Sequence, residues 1–124
     1  KYEGNFSLLL TPQNEFSPGF ETQLSELGII PNTKAEISMA FYTHETNAQA
    51  KLVFSVERNG KSIFWHGASF ADYSGDAGTW SRVFLTALIP VDVTGNEILK
   101  VYCWNEKKET LWIDDFKMNF YSPR

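Results

Sequence analysis

Two adjacent carboxylates, Asp114 and Asp115, interrupt the apolar run Leu-Trp-Ile-Asp-Asp-Phe from Leu111 to Phe116. Such a pair can serve acid–base chemistry, hold a metal, or simply mark a point of strand geometry. Cleaving a glycosidic bond needs carboxyls about 5–9.5 Å apart across the bound sugar, which neighbours on one strand seldom provide. Calcium accepts carboxylates together with backbone carbonyls, but two residues cannot complete a shell of roughly six to eight oxygens. Other strands would have to contribute. The geometric reading is simpler. Leu111, Ile113, Phe116, Met118 and Phe120 suit one inward-facing row, yet Ile113 and Phe116 are three apart, so a two-residue period fails between them. A β-bulge at Asp114-Asp115 restores the phase and leaves both carboxylates at the wet rim, where neither is desolvated. Geometry is the preferred reading, and calcium at Asp114 and Asp115 is the functional alternative.

Little other chemistry is available. His44 lies in the polar loop Thr43 to Gln49 and His66 at a strand end. Neither belongs to a zinc or catalytic motif, and no P-loop or dinucleotide fingerprint occurs. The single cysteine, Cys103, excludes an internal disulfide and a Cys-rich metal site. A nucleophile would need a base and an orienting acid that the chain does not offer in any known pattern. The expectation is a protein that is not an enzyme, with no cofactor beyond a structural calcium.

The elements that must position these residues belong to one domain of 124 residues, 43% hydrophobic and 21% charged, long enough for a core without staples. Aromatic residues make up 15%, which favours strands and supplies flat faces for ligands. The net charge is −4, and Lys107-Lys108 is flanked by Glu106 and Glu109. A nucleic-acid or anionic-membrane partner requires a positive face, so both are poor candidates and neither is expected. No window approaches the roughly 18 apolar residues of a membrane span. The chain starts at Lys1 without a signal-peptide pattern, and the expectation is a mature form or an excised domain.

Short alternating segments punctuated by turn residues predict an all-β protein. They are Phe6–Leu10, Phe16–Leu24, Ala35–Tyr42, Lys51–Glu57, Ser62–His66, Trp80–Ile89, Ile98–Trp104 and Leu111 to about Phe120. Ser17-Pro18-Gly19 marks an edge or bulge, and only Glu21–Leu27, stopped by Gly28, could instead be a short helix. Asn59-Gly60 suits a two-residue type I′ turn, because both positions tolerate positive φ. An unbroken ladder beyond that turn pairs Val56 with Ile63, Ser55 with Phe64 and Phe54 with Trp65. Val56, Ile63, Phe54 and Trp65 are then inward, while Glu57, Ser55, Val53, Ser62, Phe64 and His66 are outward. In Ile98–Trp104 the row Leu99, Val101, Cys103 suits the core, leaving Lys100, Tyr102 and Trp104 on the other side.

Phe20-Glu-Thr-Gln-Leu24, Pro31-Asn-Thr33 and Ala35-Glu-Ile-Ser-Met-Ala-Phe41 resemble the early strands of galactose-binding-like jelly rolls. Gly78-Thr-Trp-Ser-Arg-Val83 is similar to their Trp-x-x-Val strand, and Ile113-Asp-Asp-Phe116 to the Ile-Asp-Asp-Val ending of many carbohydrate-binding modules. Glu15-Phe-Ser-Pro-Gly-Phe20 and Gly60-Lys-Ser-Ile-Phe-Trp65 resemble domains of bacterial surface or cell-envelope proteins. The resemblance implies a two-sheet antiparallel β-sandwich, a ligand on a concave sheet or at loop tips, and a structural calcium touching Asp114-Asp115. It also implies an extracytoplasmic location. The family's opening strand, with its Asn…Gly-Phe-Glu pattern, has no counterpart before Lys1, so the expectation is an excised domain lacking that strand.

Two functions follow from different classes. One is a carbohydrate-binding module whose aromatic platform, Tyr102, Trp104, Phe64 and His66, is flanked by Glu57 and Lys100 and takes a glycan. The other is a structural or protein-interaction sandwich whose outer aromatics meet neighbouring domains of a larger protein.

Overall fold

The computed structural model describes residues 8–10, 16–17, 19–44, 49–73 and 78–123. Among these residues eight strands form two four-stranded antiparallel sheets. They are β1 (Leu8–Leu10), β2 (Phe20–Gln23), β3 (Lys34–Thr43), β4 (Lys51–Arg58), β5 (Lys61–Ser69), β6 (Trp80–Leu88), β7 (Ile98–Trp104) and β8 (Leu111–Tyr121). One sheet has the order β1-β8-β3-β6 and the other β2-β7-β4-β5. The expected two-sheet sandwich is what forms. Only two short 3-10 turns, Leu24–Leu27 and Phe70–Asp72, interrupt it among the described residues. The first ends at Gly28, whose left-handed backbone (φ 67°) donates its N–H back to the turn. Among the described residues no helix is long and apolar enough to cross a membrane.

Alternation decides which side of each strand meets the core, although in β4 the outward Val53 and Ser55 are buried as well. Ala35, Ile37, Met39 and Phe41 of β3 meet Leu52, Phe54 and Val56 of β4, with Val83, Leu85, Leu99, Val101 and Cys103 beside them. Phe41 stacks on Phe70 at 4.4 Å between ring centroids. Burial pushes the Cys103 thiol up to about 12, so it packs as the small hydrophobe its row predicts. Phe16, Ser17 and Gly19 lie along β7. Phe16 bridges Trp104, and Ser17 exchanges hydrogen bonds with Cys103, whose N–H donates to the Ser17 hydroxyl at 2.9 Å.

The bulge expected at the aspartates is present. Asp114 pairs with Ala40 and Lys117 with Ser38, so Asp115 and Phe116 together oppose Met39. Asp115 takes the left-handed backbone (φ 50°) that absorbs the extra residue. Ile113 is buried and Phe116 packs against the core.

The β4–β5 ladder departs from expectation. The tight turn at Asn59-Gly60 forms, both residues at positive φ, with Arg58 opposite Lys61 and Glu57 opposite Ser62. Val56 then pairs with Phe64, leaving Ile63 as an extra residue, and Ser55 pairs with Trp65 and Phe54 with His66. A second bulge has reversed the parity of β5 beyond Ser62. Phe64, expected outside, packs on Phe54 at 6.0 Å, edge to face. Ile63 and Trp65, expected inside, are exposed. His66 falls on the side of Phe54, opposite to the face it was expected to share with Tyr102, and is exposed at the sheet edge. Local bonding supports the irregularity: the Ser62 hydroxyl donates to the Phe64 carbonyl at 3.1 Å. So does chemistry, since a phenyl ring fills core space with no polar atom, whereas an indole brings an N–H that needs a partner.

Candidate functional site

With β5 in this register, Trp65 joins Tyr102 and Trp104 on the outer face of the β2-β7-β4-β5 sheet. Cross-strand pairs lay this face out in rows: Ser69, Lys51, Trp104; then Gly67, Val53, Tyr102; then Trp65, Ser55, Lys100, Glu21. Trp65 lies down toward the middle row. A Cβ placed on Gly67 would sit 2.8 Å from its ring, so the missing side chain is what makes room. The indole reaches Trp104 edge to face, with centroids 6.3 Å apart, and remains 46% exposed.

Trp104 and Tyr102 are half-buried. Phe16 stacks near-parallel on Trp104 (6.3 Å, 14°) and meets Tyr102 edge-on at 5.8 Å. The Lys51 ammonium sits 5.5 Å from the Trp104 ring and 3.2 Å from Glu106. Below the aromatic rows, Lys100 pairs with Glu57 at 3.1 Å and approaches Glu21 at 3.9 Å. The hydrogen bond to Glu57 holds the Lys100 ammonium above its ordinary range. A cleft of about 310 Å³ opens here, lined by Phe16, Gly19, Glu21, Glu57, Lys100 and Tyr102 among others. Gly19 approaches the β7 backbone so closely that a Cβ would stand 2.5 Å from the Val101 carbonyl oxygen.

Of the residues singled out from sequence, Tyr102, Trp104, Glu57 and Lys100 share this face. Phe64 and His66 do not. Unbroken alternation places Trp65 in the core instead; the one sequence signal for the outer face is Gly67 two positions on, which leaves a same-face vacancy wide enough for a ring.

Asp114 and Asp115 lie on the other sheet. Arg82 bonds the Asp115 carboxylate and its carbonyl oxygen, and Lys117 stands 3.6 Å from the same carboxylate. Asp114 accepts the Asp115 N–H at 2.7 Å. Two cations already neutralise Asp115 and would oppose a divalent ion. No group of three or more His, Cys, Asp or Glu among the described residues is placed to hold a metal. Among the described residues, Asp114 and Asp115 have no further carboxylate, imidazole or thiol beside them to complete a calcium shell. Millimolar calcium and excess chelator should therefore give the same melting temperature; a rise with calcium would restore the ion, because a ligand of the native state stabilises it by mass action.

No protein-family model matches the chain, and no curated protein matches its sequence. Solved structures do match in fold. The CBM22-2 xylan-binding domain from Paenibacillus barcinonensis Xyn10C aligns over 91% of this chain and 77% of its own, with a TM-score of 0.61 at 18% identity. A Family 16 Carbohydrate Binding Module-2 aligns over 95% and 79%, with a TM-score of 0.58 at 10% identity. An arabinose-bound MgGH51 α-L-arabinofuranosidase aligns over 92% of this chain but only 19% of its own, with a TM-score of 0.55 at 16% identity. The fold is thus a carbohydrate-binding-module-like β-sandwich.

Proposed function

We propose that this chain is a non-catalytic carbohydrate-binding module that takes a glycan on the outer face of the β2-β7-β4-β5 sheet. The observation that carries the reading is the grouping of Trp65, Tyr102 and Trp104 on one outer face beside the Lys100–Glu57 pair. Sugars present apolar C–H faces and a belt of hydroxyls. Aromatic rings stack on the former, and charged side chains fork hydrogen bonds to the latter. Trp65 is the principal platform, and Tyr102 and Trp104 extend it. Glu57 accepts from sugar hydroxyls while Lys100 donates. Such a module works outside the cytoplasm, where polymeric glycans lie, and serves neighbouring domains of a larger protein.

One observation favours a structural or interaction role instead: Phe16 already covers a face of Trp104. Trp104→Ala separates the two. Binding to immobilised glycans, competed by free sugar, should fall about 30-fold or more, the scale of an interface hot spot, with a small change in melting temperature. Loss of about 3–5 kcal/mol of stability, the usual result of truncating a core aromatic, together with no glycan bound by the parent chain, would overturn the carbohydrate reading.

A further inference from the structure

The opposite face of the sandwich carries a second aromatic row. In the β1-β8-β3-β6 sheet, Tyr42 is the direct cross-strand partner of Trp80 on one side and Trp112 on the other. The ring centroids lie 5.6 and 5.7 Å apart, and His44 closes the end at 5.3 Å from Tyr42 and 5.9 Å from Trp112. Trp80 is 49% exposed. The next outward row is Arg82, Ala40, Asp114, a two-residue step or about 7 Å along the strands. Its central side chain is a single methyl, so the floor drops between the aromatic row and the charges. Beyond it, Arg82 reaches across β3, donating to the Ser38 hydroxyl at 2.6 Å and to the Asp115 carbonyl at 3.1 Å. The face therefore offers a trough floored by Ala40, with stacking rings along one side and a fixed polar bar along the other.

We infer that this trough is a second glycan-binding site, for a neutral saccharide, separate from the face described above. The charges select the ligand class. Arg82 and Lys117 are matched by Asp114 and Asp115, and Asp115 is ion-paired to both cations. No net charge is left to attract a phosphate or a basic peptide. A ligand that stacks on Trp80 and Tyr42 meets donors and acceptors about one sugar ring away, a pattern of apolar face plus hydroxyl edge. An apolar peptide would desolvate the ionic bar without replacing its hydrogen bonds with water. The inference concerns a different sheet and does not rest on the first site.

The chain's four tryptophans make the test direct, because two lie on each face. The indole N–H signals of the nitrogen-15-labelled chain, assigned with single Trp→Phe variants, would be followed during millimolar titrations with xylohexaose, cellohexaose and mannohexaose. At least one sugar should move Trp80 and Trp112 saturably, and the movement should persist in Trp65→Ala/Trp104→Ala. Filling the trough with Ala40→Leu should abolish it while leaving the Trp65 and Trp104 signals responsive. Shifts confined to Trp65 and Trp104 would overturn the second site and support the first. Shifts confined to Trp80 and Trp112 would do the reverse, and none at any indole would overturn both. Trp80 and Trp112 shifts that follow protein concentration without sugar would replace the glycan by a second copy of the chain.

Discussion

Trp65→Ala is expected to remove most glycan binding, about 30-fold or more, while costing roughly 1 kcal/mol of stability, as partly exposed sites do. Its neighbour should behave in the opposite way. Phe64→Ala is expected to cost about 3 kcal/mol, because its ring packs edge to face on the fully buried Phe54, with affinity of the remaining folded protein unchanged. Urea unfolding and calorimetric titration of the two variants read both quantities. The pair matters because the unbulged ladder predicts the reverse assignment, Trp65 structural and Phe64 exposed. A Trp65→Ala variant that melts like a core mutant and keeps its ligand would show the bulge at Ile63 to be absent in solution.

Glu97 is expected to be the most consequential charge in the fold. It is only 2% exposed, just before β7, and gathers the loop after β6 onto the β4–β5 hairpin. Its carboxylate accepts from the Thr94 and Gly95 amides at 3.0 Å each and from Arg58 at 2.9 Å. Arg58 continues to the Asp92 carbonyl at 3.1 Å. Burial alone would raise this carboxyl, but the Arg58 hydrogen bond and the loop amides outweigh it and hold the group at about 2, against an ordinary 4.5. The ionised form is therefore the one the fold stabilises. Its contribution is complete above about pH 4.5–5 and is lost as the pH falls toward 2. Glu97→Ala should destabilise the protein by about 3 kcal/mol at pH 7, since charged hydrogen bonds are broken and buried amides lose their acceptor. Below pH 5 the variant's loss of stability should be shallower than that of the parent. Parallel acid limbs for the two proteins would show that Glu97 titrates normally.

Much of this architecture was legible in residue order alone. Period-two alternation and turn residues placed the strand segments, and the lost phase between Ile113 and Phe116 located the bulge at the aspartates. Leu99, Val101 and Cys103 told the two faces of β7 apart, which put Lys100, Tyr102 and Trp104 outside. Each of these is a local matter: one strand, one repeat, one turn. In β5 the sequence Ile-Phe-Trp-His is apolar or aromatic at both parities through Trp65, so alternation could not choose. The choice fell to the space beside Phe54, to the Ser62–Phe64 hydrogen bond, and to Gly67 leaving room for an indole. Likewise, nothing near Asp115 in sequence announces Arg82, and nothing near Glu97 announces Arg58. Those partners lie 33 and 39 residues away along the chain and meet only because the sheets pair as they do. Periodicity records which side of a strand is greasy, whereas the volume of a core and the partner of a charge are set by strands distant in sequence, so only the tertiary structure decides them.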